Sequence, residues 1–341
     1  MSLVVIAEAG VNHNGDLGRA REMVRAAAEA GADYVKFQAF SAEGLVGRGA
    51  RTAAYQAANT GEADQRALLR GLEIGLDGFA SLAEACREHR IGFMATAFDV
   101  DMVEALIALG MDRIKVASGE LTNAPALARF SRLRKPVLLS TGMATLDEVG
   151  RAIELLRVSG AADITLLQCT SLYPAPPAAL NLRAMQTMAA RFGLPVGFSD
   201  HSLGDHAAVA AVALGATVIE KHFTLDRKLP GPDHAASLEP GDLAAMIRKL
   251  REIGDMLGDG NKVPTRDELA TAALVRRSWH AARDLPAGTV IGTDAVVLKR
   301  PADGLAPEAS PVGRTVIRAV AADAPLTAAD LADPRIDKAA L

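Results

Sequence analysis

Two histidines follow short apolar runs that have the pattern of buried strands. His201 comes directly after Val196–Asp200, and His222 comes directly after Val218–Lys221. The stretch between them has a helical pattern, so both imidazoles are expected at the carboxyl ends of neighbouring parallel strands. Two imidazoles at one edge of a sheet can hold a single divalent cation. A histidine at a strand end is more often simply hydrogen-bonded, so the hypothesis of a metal site depends on the residues around the pair.

The ends of the other strand-like runs carry lysines, carboxylates and hydroxyl groups. Lys36 and Lys115, together with neighbouring hydroxyls, are suited to bind a phosphate and a carboxylate. Glu8 and Glu120 would be costly to bury without a partner or a ligand, which indicates an acid–base or hydroxyl-binding role. The further polar or aromatic positions at these ends are Gln38, Thr96, Phe98, Ser118, Ser140, Thr141, Gln168, Thr170, Ser171, Tyr173, Ser199, Glu220 and Lys221.

These side chains lie at the ends of eight strand-like runs, which alternate with helical patterns along the chain. Eight strands that are each followed by a helix predict an α/β fold, a closed (β/α)₈ TIM barrel with its active site at the carboxyl ends of the strands. An open doubly wound sheet is the alternative, but no Gly-x-Gly-x-x-Gly turn follows the first run. The runs are Val4–Glu8, Tyr34–Gln38, Gly92–Ala95, Arg113–Val116, Pro136–Ser140, Ile164–Gln168, Pro195–Phe198 and Thr217–Lys221.

Two parts of the chain depart from this repeat. The interval between Gln38 and Gly92 is too long for one helix, which predicts an insertion over the barrel mouth that shapes a pocket or contacts a partner. From about Arg276 onward, short β-type pieces alternate with Pro, Gly and Asp turns, as in a small β-rich module. The predicted domains are a catalytic barrel at 1–258, a linker at 259–275 and the β-rich module at 276–341.

Composition limits the class of protein. The 341 residues have a net charge of −4 with both signs interspersed, so neither a nucleic-acid surface nor a membrane surface is expected. No apolar stretch approaches the roughly 20 residues that span a bilayer, and no signal-like segment opens the chain. Cys86 and Cys169 are too few for a disulfide framework. A cytoplasmic location is therefore expected.

Several strings make the chain resemble the sialic acid synthase family. The segment from Arg276–Ser278 to Lys299–Pro301 resembles the small antifreeze-like (SAF, β-clip) domain that follows the (β/α)₈ barrel in this family. The resemblance covers nearly the whole chain, with its motifs in order. The matching strings of the barrel are IAEAGVNHNGD at 6–16, ADYVKFQ at 32–38, KVASGE at 115–120, STGM at 140–143, GFSDHS at 197–202, EKHFTLD at 220–226 and PGPD at 230–233.

The resemblance implies a reaction and a division of labour in the site. The family condenses phosphoenolpyruvate with an N-acylated mannosamine-type sugar to give a nine-carbon 2-keto acid and phosphate. His201 and His222 would hold Mn²⁺, with Mg²⁺ or Co²⁺ as alternatives, which would polarise the sugar aldehyde as a Lewis acid. Glu8 would lie near the reacting centre. The implied phosphoenolpyruvate residues are Lys36, Thr96, Lys115, Ser118, Ser140, Tyr173 and Ser199, and the implied sugar residues are Gln38, Phe98, Glu120, Tyr173, Asp233 and Arg300.

The resemblance also implies a homodimer. Arg300 matches an arginine that the second domain of the family brings to the active site of the partner subunit, which is a domain-swapped arrangement. The sugar is left open between N-acetylmannosamine and a 2,4-diacetamido-2,4,6-trideoxymannose, which would give neuraminic or legionaminic acid respectively. The chain departs from the family pattern at Ser171, where some sialic acid synthases carry Asn, at Gln168, where His is common, and at Ala302-Asp303.

Two other functions are compatible with parts of this pattern. A class I aldolase of the same fold would form a Schiff base at Lys36 or Lys115. A non-catalytic sugar-binding protein would use its C-terminal module as the working part. The presence of both lysines together with His201 and His222 argues against this last hypothesis.

Overall fold

The computed structural model describes residues 3–332. The chain divides into two compact units, Met1–Gly258 and Asp259–Leu341. The predicted domain limits at residues 1 and 341 lie outside the described residues. Within residues 3–332, no helix combines the length and apolarity that a membrane crossing requires.

The first unit is a closed barrel of eight parallel strands. The first strand pairs with the second through Ile6 and Tyr34 and with the eighth through Val4 and Val218, so the sheet has no free edge. The predicted (β/α)₈ barrel is therefore confirmed, and the open doubly wound sheet is wrong. The strands are β1 (Val4–Gly10), β2 (Tyr34–Ala39), β3 (Gly92–Ala97), β4 (Ile114–Val116), β5 (Val137–Ser140), β6 (Ile164–Cys169), β7 (Val196–Asp200) and β8 (Val218–His222).

One long helix follows each strand of the barrel, and three shorter ones lie in the insertion after β2. Glycines with positive φ, such as Gly110 and Gly160, end several of these helices, because a residue without Cβ adopts that conformation without strain. The helices of this unit are α1 (Leu17–Glu29), α2 (Ala42–Leu45), α3 (Ala54–Thr60), α4 (Gln65–Arg70), α5 (Leu76–His89), α6 (Val100–Ala108), α7 (Ala124–Arg132), α8 (Leu146–Val158), α9 (Arg183–Phe192), α10 (His206–Ala213) and α11 (Pro240–Leu257).

The strands bury apolar side chains on both faces. Their outward-facing residues form one continuous core with the helices. The barrel interior has a separate apolar plug that includes Ile6, Met94, Leu138, Leu167 and Val218. Because these residues precede the polar ends of their strands, the plug forms a floor beneath the polar side chains.

The insertion after β2 closes on itself. Arg51 pairs with Asp64 in an antiparallel bridge, and the Gln65 amide donates to the Ala50 carbonyl at 3.1 Å. α3 lies between these tied ends, and the Asn59 side chain donates to the Pro232 carbonyl at 2.8 Å. The segment is thus bonded both to itself and to the loop after β8.

The second unit is small and β-rich. Its described part holds an antiparallel pair, β9 (Ser278–Ala281) and β10 (Val296–Lys299), and a separate apolar core that includes Leu285, Val316 and Leu326. The predicted linker contains a helix, α12 (Arg266–Val275). The side chain of Thr265 caps the Glu268 amide and the Glu268 side chain accepts from the Thr265 amide, a capping box that stabilises the first turn.

Candidate active site

A cavity of about 300 Å³ lies at the carboxyl ends of the barrel strands. Every strand of the barrel contributes to its lining or leads into a lining residue, so it is the convergence point expected for this architecture. Twelve of the residues predicted for the site lie here: Glu8, Lys36, Gln38, Thr96, Phe98, Lys115, Ser118, Ser140, Tyr173, Ser199, His201 and His222.

A larger and mainly apolar cavity, of about 890 Å³, is lined by residues that follow β6 and β7, among them Pro174, Leu180 and Leu203. It contains none of the predicted site residues. Chemistry on a charged substrate needs the titratable groups of the smaller cavity, which is therefore the candidate active site.

Two lysines and two glutamates form a buried, electrically balanced cluster on the cavity floor. Lys36 Nζ lies 2.7 Å from Glu8 Oε2 and 3.7 Å from Glu220 Oε2, while Lys115 Nζ lies 3.3 Å from Glu220 Oε1. All four side chains are almost completely buried. Because burying a charge is costly without compensation, each ammonium is held where a carboxylate offsets it. A polyanionic substrate would find both ammonium groups already fixed in place.

The two carboxylates of this cluster differ in their protonation. Burial alone would raise the pKa of Glu220, but the Coulomb attraction of Lys115 and Lys36 lowers it to about 2. Burial raises the pKa of Glu8 to about 7, with Lys36 opposing the rise and Glu220 adding to it. Glu220 is thus ionised near neutral pH, whereas Glu8 can exchange a proton there.

Hydroxyl groups complete the anion-binding set. Lys36 Nζ donates to Thr96 Oγ1 at 2.9 Å, and Ser199 Oγ donates to Glu220 Oε1 at 2.8 Å. Ser118 Oγ accepts from the Gly142 amide at 3.0 Å, and Ser140 Oγ is buried without a hydrogen-bond partner among the residues that the structure describes. A buried hydroxyl without a partner is costly, so a bound ligand atom would relieve it.

The geometry of the two imidazoles fits a divalent cation. The His201 Nδ1–H donates to the Thr170 carbonyl at 2.9 Å, which leaves the lone pair on Nε2, where the Tyr173 hydroxyl lies at 3.2 Å. An imidazole anchored through one nitrogen to a backbone carbonyl is the usual arrangement of a metal-binding histidine. His222 Nδ1 is buried with no hydrogen-bond partner among the described residues. The two ring centroids are 5.4 Å apart.

These histidines would supply only part of a coordination sphere. Among residues 3–332, no group of three or more His, Cys, Asp and Glu side chains is arranged to hold a metal ion. Water or substrate oxygens would therefore fill the remaining positions, as in catalytic sites that keep open positions for substrate.

An aromatic stack covers His201. The Tyr173 ring stacks on His201 at 4.1 Å between centroids, and the Tyr55 ring stacks on Tyr173 at 5.2 Å with an interplanar angle of 19°. Tyr55 belongs to α3 of the insertion and was not assigned to the site from sequence. A sequence signal for it was its place in a segment expected over the barrel mouth.

Three residues predicted for the sugar pocket do not line this cavity. Glu120 ends a 3₁₀ turn after β4, which directs its Oε2 to the Asn123 side chain at 2.6 Å. Asp233 is buried, with Oδ1 unpartnered among the described residues and its pKa raised to about 6 by burial. Arg300 belongs to the second unit and directly follows β10.

Six cavity residues were missing from the predicted site, including Ala117 and Gly119 in the turn after β4. Glu220 was noted at a strand end but given no role, although it contacts both lysines. Cys169, Ser171 and Met143 also line the cavity. Gln168, by contrast, donates to the Leu180 carbonyl at 3.0 Å and is not among the lining residues.

Family models of known proteins match most of the chain. The NeuB family model matches residues 23–262, and the SAF domain model matches residues 276–332. The chain belongs to the NeuB family. The predicted family, and the antifreeze-like character of the C-terminal unit, are therefore confirmed.

Relatives of this NeuB-family chain share most of its length. It is 46% identical to the N,N'-diacetyllegionaminic acid synthase of Legionella pneumophila over 90% of this chain and 88% of that protein. It is 44% identical to the enzyme of the same name from Campylobacter jejuni, over 89% and 91% respectively. A crystal structure of N-acetylneuraminic acid synthetase from Leptospira borgpetersenii in complex with citrate is 34% identical, with a TM-score of 0.72 over 80% of this chain and 90% of that one.

Proposed function

We propose that this protein is a nonulosonic acid synthase, which condenses phosphoenolpyruvate with an N-acylated mannosamine-type sugar and water and releases phosphate. The observation that carries this proposal is a buried pair of lysines facing two histidines within one cavity of about 300 Å³. The lysines suit a polyanion, and the histidines suit a cation that activates an aldehyde. Membership of the NeuB family supports the same reaction.

We infer that the sugar is 2,4-diacetamido-2,4,6-trideoxymannose, so that the product is a legionaminic acid. Two relatives that are named legionaminic acid synthases are 46% and 44% identical to this chain. The neuraminic acid synthetase of known structure is 34% identical. N-acetylmannosamine is the competing substrate.

The proposed reaction forms one carbon–carbon bond and breaks one carbon–oxygen bond of phosphoenolpyruvate. The C3 carbon of phosphoenolpyruvate forms a bond to the aldehyde carbon of the sugar, whose oxygen takes up a proton. Water adds to C2, and the bond from C2 to the bridging oxygen breaks, so that this oxygen leaves with the phosphate. Of the two protons of this water, one balances the proton on the new hydroxyl and the other leaves with the phosphate. A 2-keto acid with nine carbons remains.

The residues of the cavity serve this sequence in distinct ways. Lys36 and Lys115 would hold the phosphate and carboxylate of phosphoenolpyruvate, with Ser118 and Ser140 adding hydroxyl donors. Holding the enol next to the aldehyde lowers the activation barrier, because the two reactants no longer have to find their orientation by diffusion. Glu8, whose pKa is about 7, is the group suited to move a proton at the reacting centre.

His201 and His222 would hold the divalent cation, for which we propose Mn²⁺, with Mg²⁺ or Co²⁺ as alternatives. When bound, the cation would polarise the aldehyde oxygen as a Lewis acid and so favour attack on the carbonyl carbon. The Thr170 carbonyl fixes the tautomer of His201 for this task.

The environment of Lys36 disfavours a Schiff base at this lysine. A Schiff-base aldolase needs a neutral amine, which usually requires a lowered lysine pKa. Burial by itself would lower the pKa of Lys36, but Glu220 and Glu8 raise it above its usual value. Borohydride trapping with a keto acid tests this point, because a covalent adduct would support the aldolase.

Phosphate release tests the proposed function. We expect release from phosphoenolpyruvate only when the sugar and Mn²⁺ are both present, faster with the diacetamido sugar than with N-acetylmannosamine, and abolished by a chelator. Faster turnover of N-acetylmannosamine would overturn the choice of sugar. No release with either sugar would overturn the proposed reaction and favour a non-catalytic sugar-binding protein.

Removing the outer ring of the stack is expected to weaken sugar binding. Tyr55→Ala should raise the KM for the sugar about 2- to 13-fold, because an aromatic pair contributes ~0.5–1.5 kcal/mol beyond its buried area. Tyr55→Phe keeps the ring and should behave like the unchanged protein. Steady-state kinetics with each substrate varied in turn would check this. Equal losses in the two variants would show that the hydroxyl, not the stack, matters.

A methyl group at Gly142 is expected to disturb the anion-binding hydroxyls. A Cβ there would lie 2.4 Å from Ser171 Oγ and 2.8 Å from Ser118 Oγ, so both must move. Gly142→Ala should raise the KM for phosphoenolpyruvate about tenfold or more, the value of one hydrogen bond to a charged group. Gly254→Ala, where a Cβ meets open space, is the control. Unchanged kinetics in Gly142→Ala would remove these hydroxyls from the proposed anion site.

We further propose that the enzyme is a cytoplasmic homodimer whose second unit supplies Arg300 to the partner's cavity. Cys86 and Cys169 are free thiols, which suits a reducing compartment. The loop after Arg300 is held in shape: Ser278 Oγ donates to the Pro301 carbonyl at 2.8 Å and accepts from the Gly304 amide at 3.0 Å. Arg300 itself is exposed and so available to a ligand.

Complementation between two inactive variants would detect this arrangement. If Arg300 acts on the partner, a mixed dimer of Arg300→Ala and His222→Ala contains one site with all its groups. After unfolding and refolding together, the mixture should regain about a quarter of the normal activity, since half of the dimers are mixed and each has one working site. No recovery, with dimers confirmed by light scattering, would show that Arg300 does not act in trans.

A further inference from the structure

A buried ion pair lies behind the two histidines, on the opposite face of their strands. Along β8, Glu220 and His222 line the cavity, so the intervening Lys221 points outward to the layer between barrel and helices. On β7, Ser199 lines the cavity, so the adjacent Asp200 also points outward to this layer. The Lys221 Nζ and Asp200 Oδ2 are 2.9 Å apart, and both side chains have no exposed surface.

This ion pair holds the backbone on both sides of His201. Besides Asp200, which precedes His201, Lys221 Nζ donates to the carbonyl of Ser202, which follows it. The Asp200 Oδ1 accepts from the Ser202 amide at 2.8 Å and from its hydroxyl at 2.7 Å. Lys221 also directly precedes His222. A single ammonium group therefore links the segments that carry both imidazoles.

The location of the pair argues for a positioning role. Replacing a buried ion pair with apolar residues of similar size is often neutral for stability, so stability alone does not explain two charges there. Hydrogen bonds depend on distance and angle, so they fix the relative position of the groups that they join more tightly than apolar packing does. Asp200 and Lys221 are also register partners in the β7–β8 ladder, so the bonds act where the separation of the histidines is set.

We propose that Lys221 is a positioning residue, whose ion pair with Asp200 fixes the separation and orientation of His201 and His222 for a divalent cation. The inference rests on the proposed role of these two histidines. Lys221 touches neither substrate nor cation and acts only through the strands. The two ring centroids, 5.4 Å apart, are the geometry that it maintains.

The test uses variants that separate this role from general stability. Lys221→Met leaves Asp200 buried without its partner, which endangers folding. The double variant Asp200→Asn/Lys221→Met removes both charges and keeps the shapes. Lys249→Met is the matched control, since it breaks another lysine–aspartate pair, with Asp205 at 2.6 Å, whose lysine lies on α11 with an exposed side chain.

Three quantities would be measured on each full-length protein: the Mn²⁺ dissociation constant from the electron paramagnetic resonance of free Mn²⁺, phosphoenolpyruvate affinity without metal by calorimetry, and the melting temperature. The double variant should melt cooperatively and keep its phosphoenolpyruvate affinity. It should bind Mn²⁺ about 10- to 100-fold more weakly, because losing a residue that supports a metal ligand usually has an effect of this size. The control should match the unchanged protein.

Two results would overturn the inference. One is a folded double variant that binds Mn²⁺ as tightly as the unchanged protein. The other is a parallel loss of Mn²⁺ and phosphoenolpyruvate affinity, which would indicate a general disturbance of the barrel. Failure of the proposed function is recognised separately, because the unchanged protein would then release no phosphate from its substrates, whatever the variants bind.

Discussion

His222→Ala is expected to reduce metal-dependent phosphate release by about two orders of magnitude or more. The variant would leave His201 as the only imidazole of the pair. Lewis-acid activation of a carbonyl contributes several kcal/mol, and ~3 kcal/mol corresponds to a rate factor of more than a hundred. Initial rates at saturating substrates and Mn²⁺ would measure the loss, with circular dichroism to establish that the barrel remains folded.

The matched control for this variant is His206→Ala. The His206 side chain is almost fully exposed at the start of α10 and does not line the candidate active site. It should release phosphate at the normal rate. An unchanged rate in His222→Ala would remove His222 from the metal site, and with it the reason for pairing it with His201.

Lys115→Met is expected to raise the KM for phosphoenolpyruvate about 10- to 150-fold. A hydrogen bond to a charged group contributes ~1.5–3 kcal/mol, and the loss falls on the substrate that this ammonium would bind. Lys115 is a better target than Lys36, because Lys36 contacts both Glu8 and Glu220. After the substitution Glu220 still keeps the Ser199 hydroxyl at 2.8 Å and Lys36 at 3.7 Å.

Kinetics with each substrate varied in turn would isolate this effect. The KM for the sugar should change far less than the KM for phosphoenolpyruvate. Lys262→Met, at an exposed position of the second unit, serves as the control for loss of a positive charge. An unchanged KM for phosphoenolpyruvate in Lys115→Met would show that the lysine offsets the charge of Glu220 and does not bind the substrate.

The barrel and most of its site followed from local patterns. Strands that are buried on both faces appear as apolar runs, and in this architecture their polar ends must meet at one face. Lys36, Lys115, His201 and His222 therefore converge in one cavity, as their places at strand ends predicted. The bounds of α8 (Leu146–Val158) also depend on local signals, because its N-terminal capping box and its apolar periodicity both lie in neighbouring residues.

Other features depend on contacts that the sequence pattern does not contain. The stack of Tyr55 on Tyr173 joins an insertion to a loop that is more than a hundred residues away. Glu120 was expected in the sugar pocket, but the turn after β4 directs its carboxylate to Asn123. The position of Glu220 between two lysines could not be predicted from the sequence pattern. The three residues lie on different strands, which come together only when the barrel closes. The helix of the linker, by contrast, had a visible signal in the Thr265–Glu268 capping box.

The most direct measurement of the central claim is the fate of the bridging oxygen of phosphoenolpyruvate. The protein would be incubated with Mn²⁺, the diacetamido sugar and phosphoenolpyruvate that carries ¹⁸O at the bridging position, and both products would be analysed by mass spectrometry. The proposed reaction predicts a nine-carbon 2-keto acid without the label, together with phosphate that carries one ¹⁸O. The absence of the nine-carbon acid, or retention of the label in the acid, would contradict it.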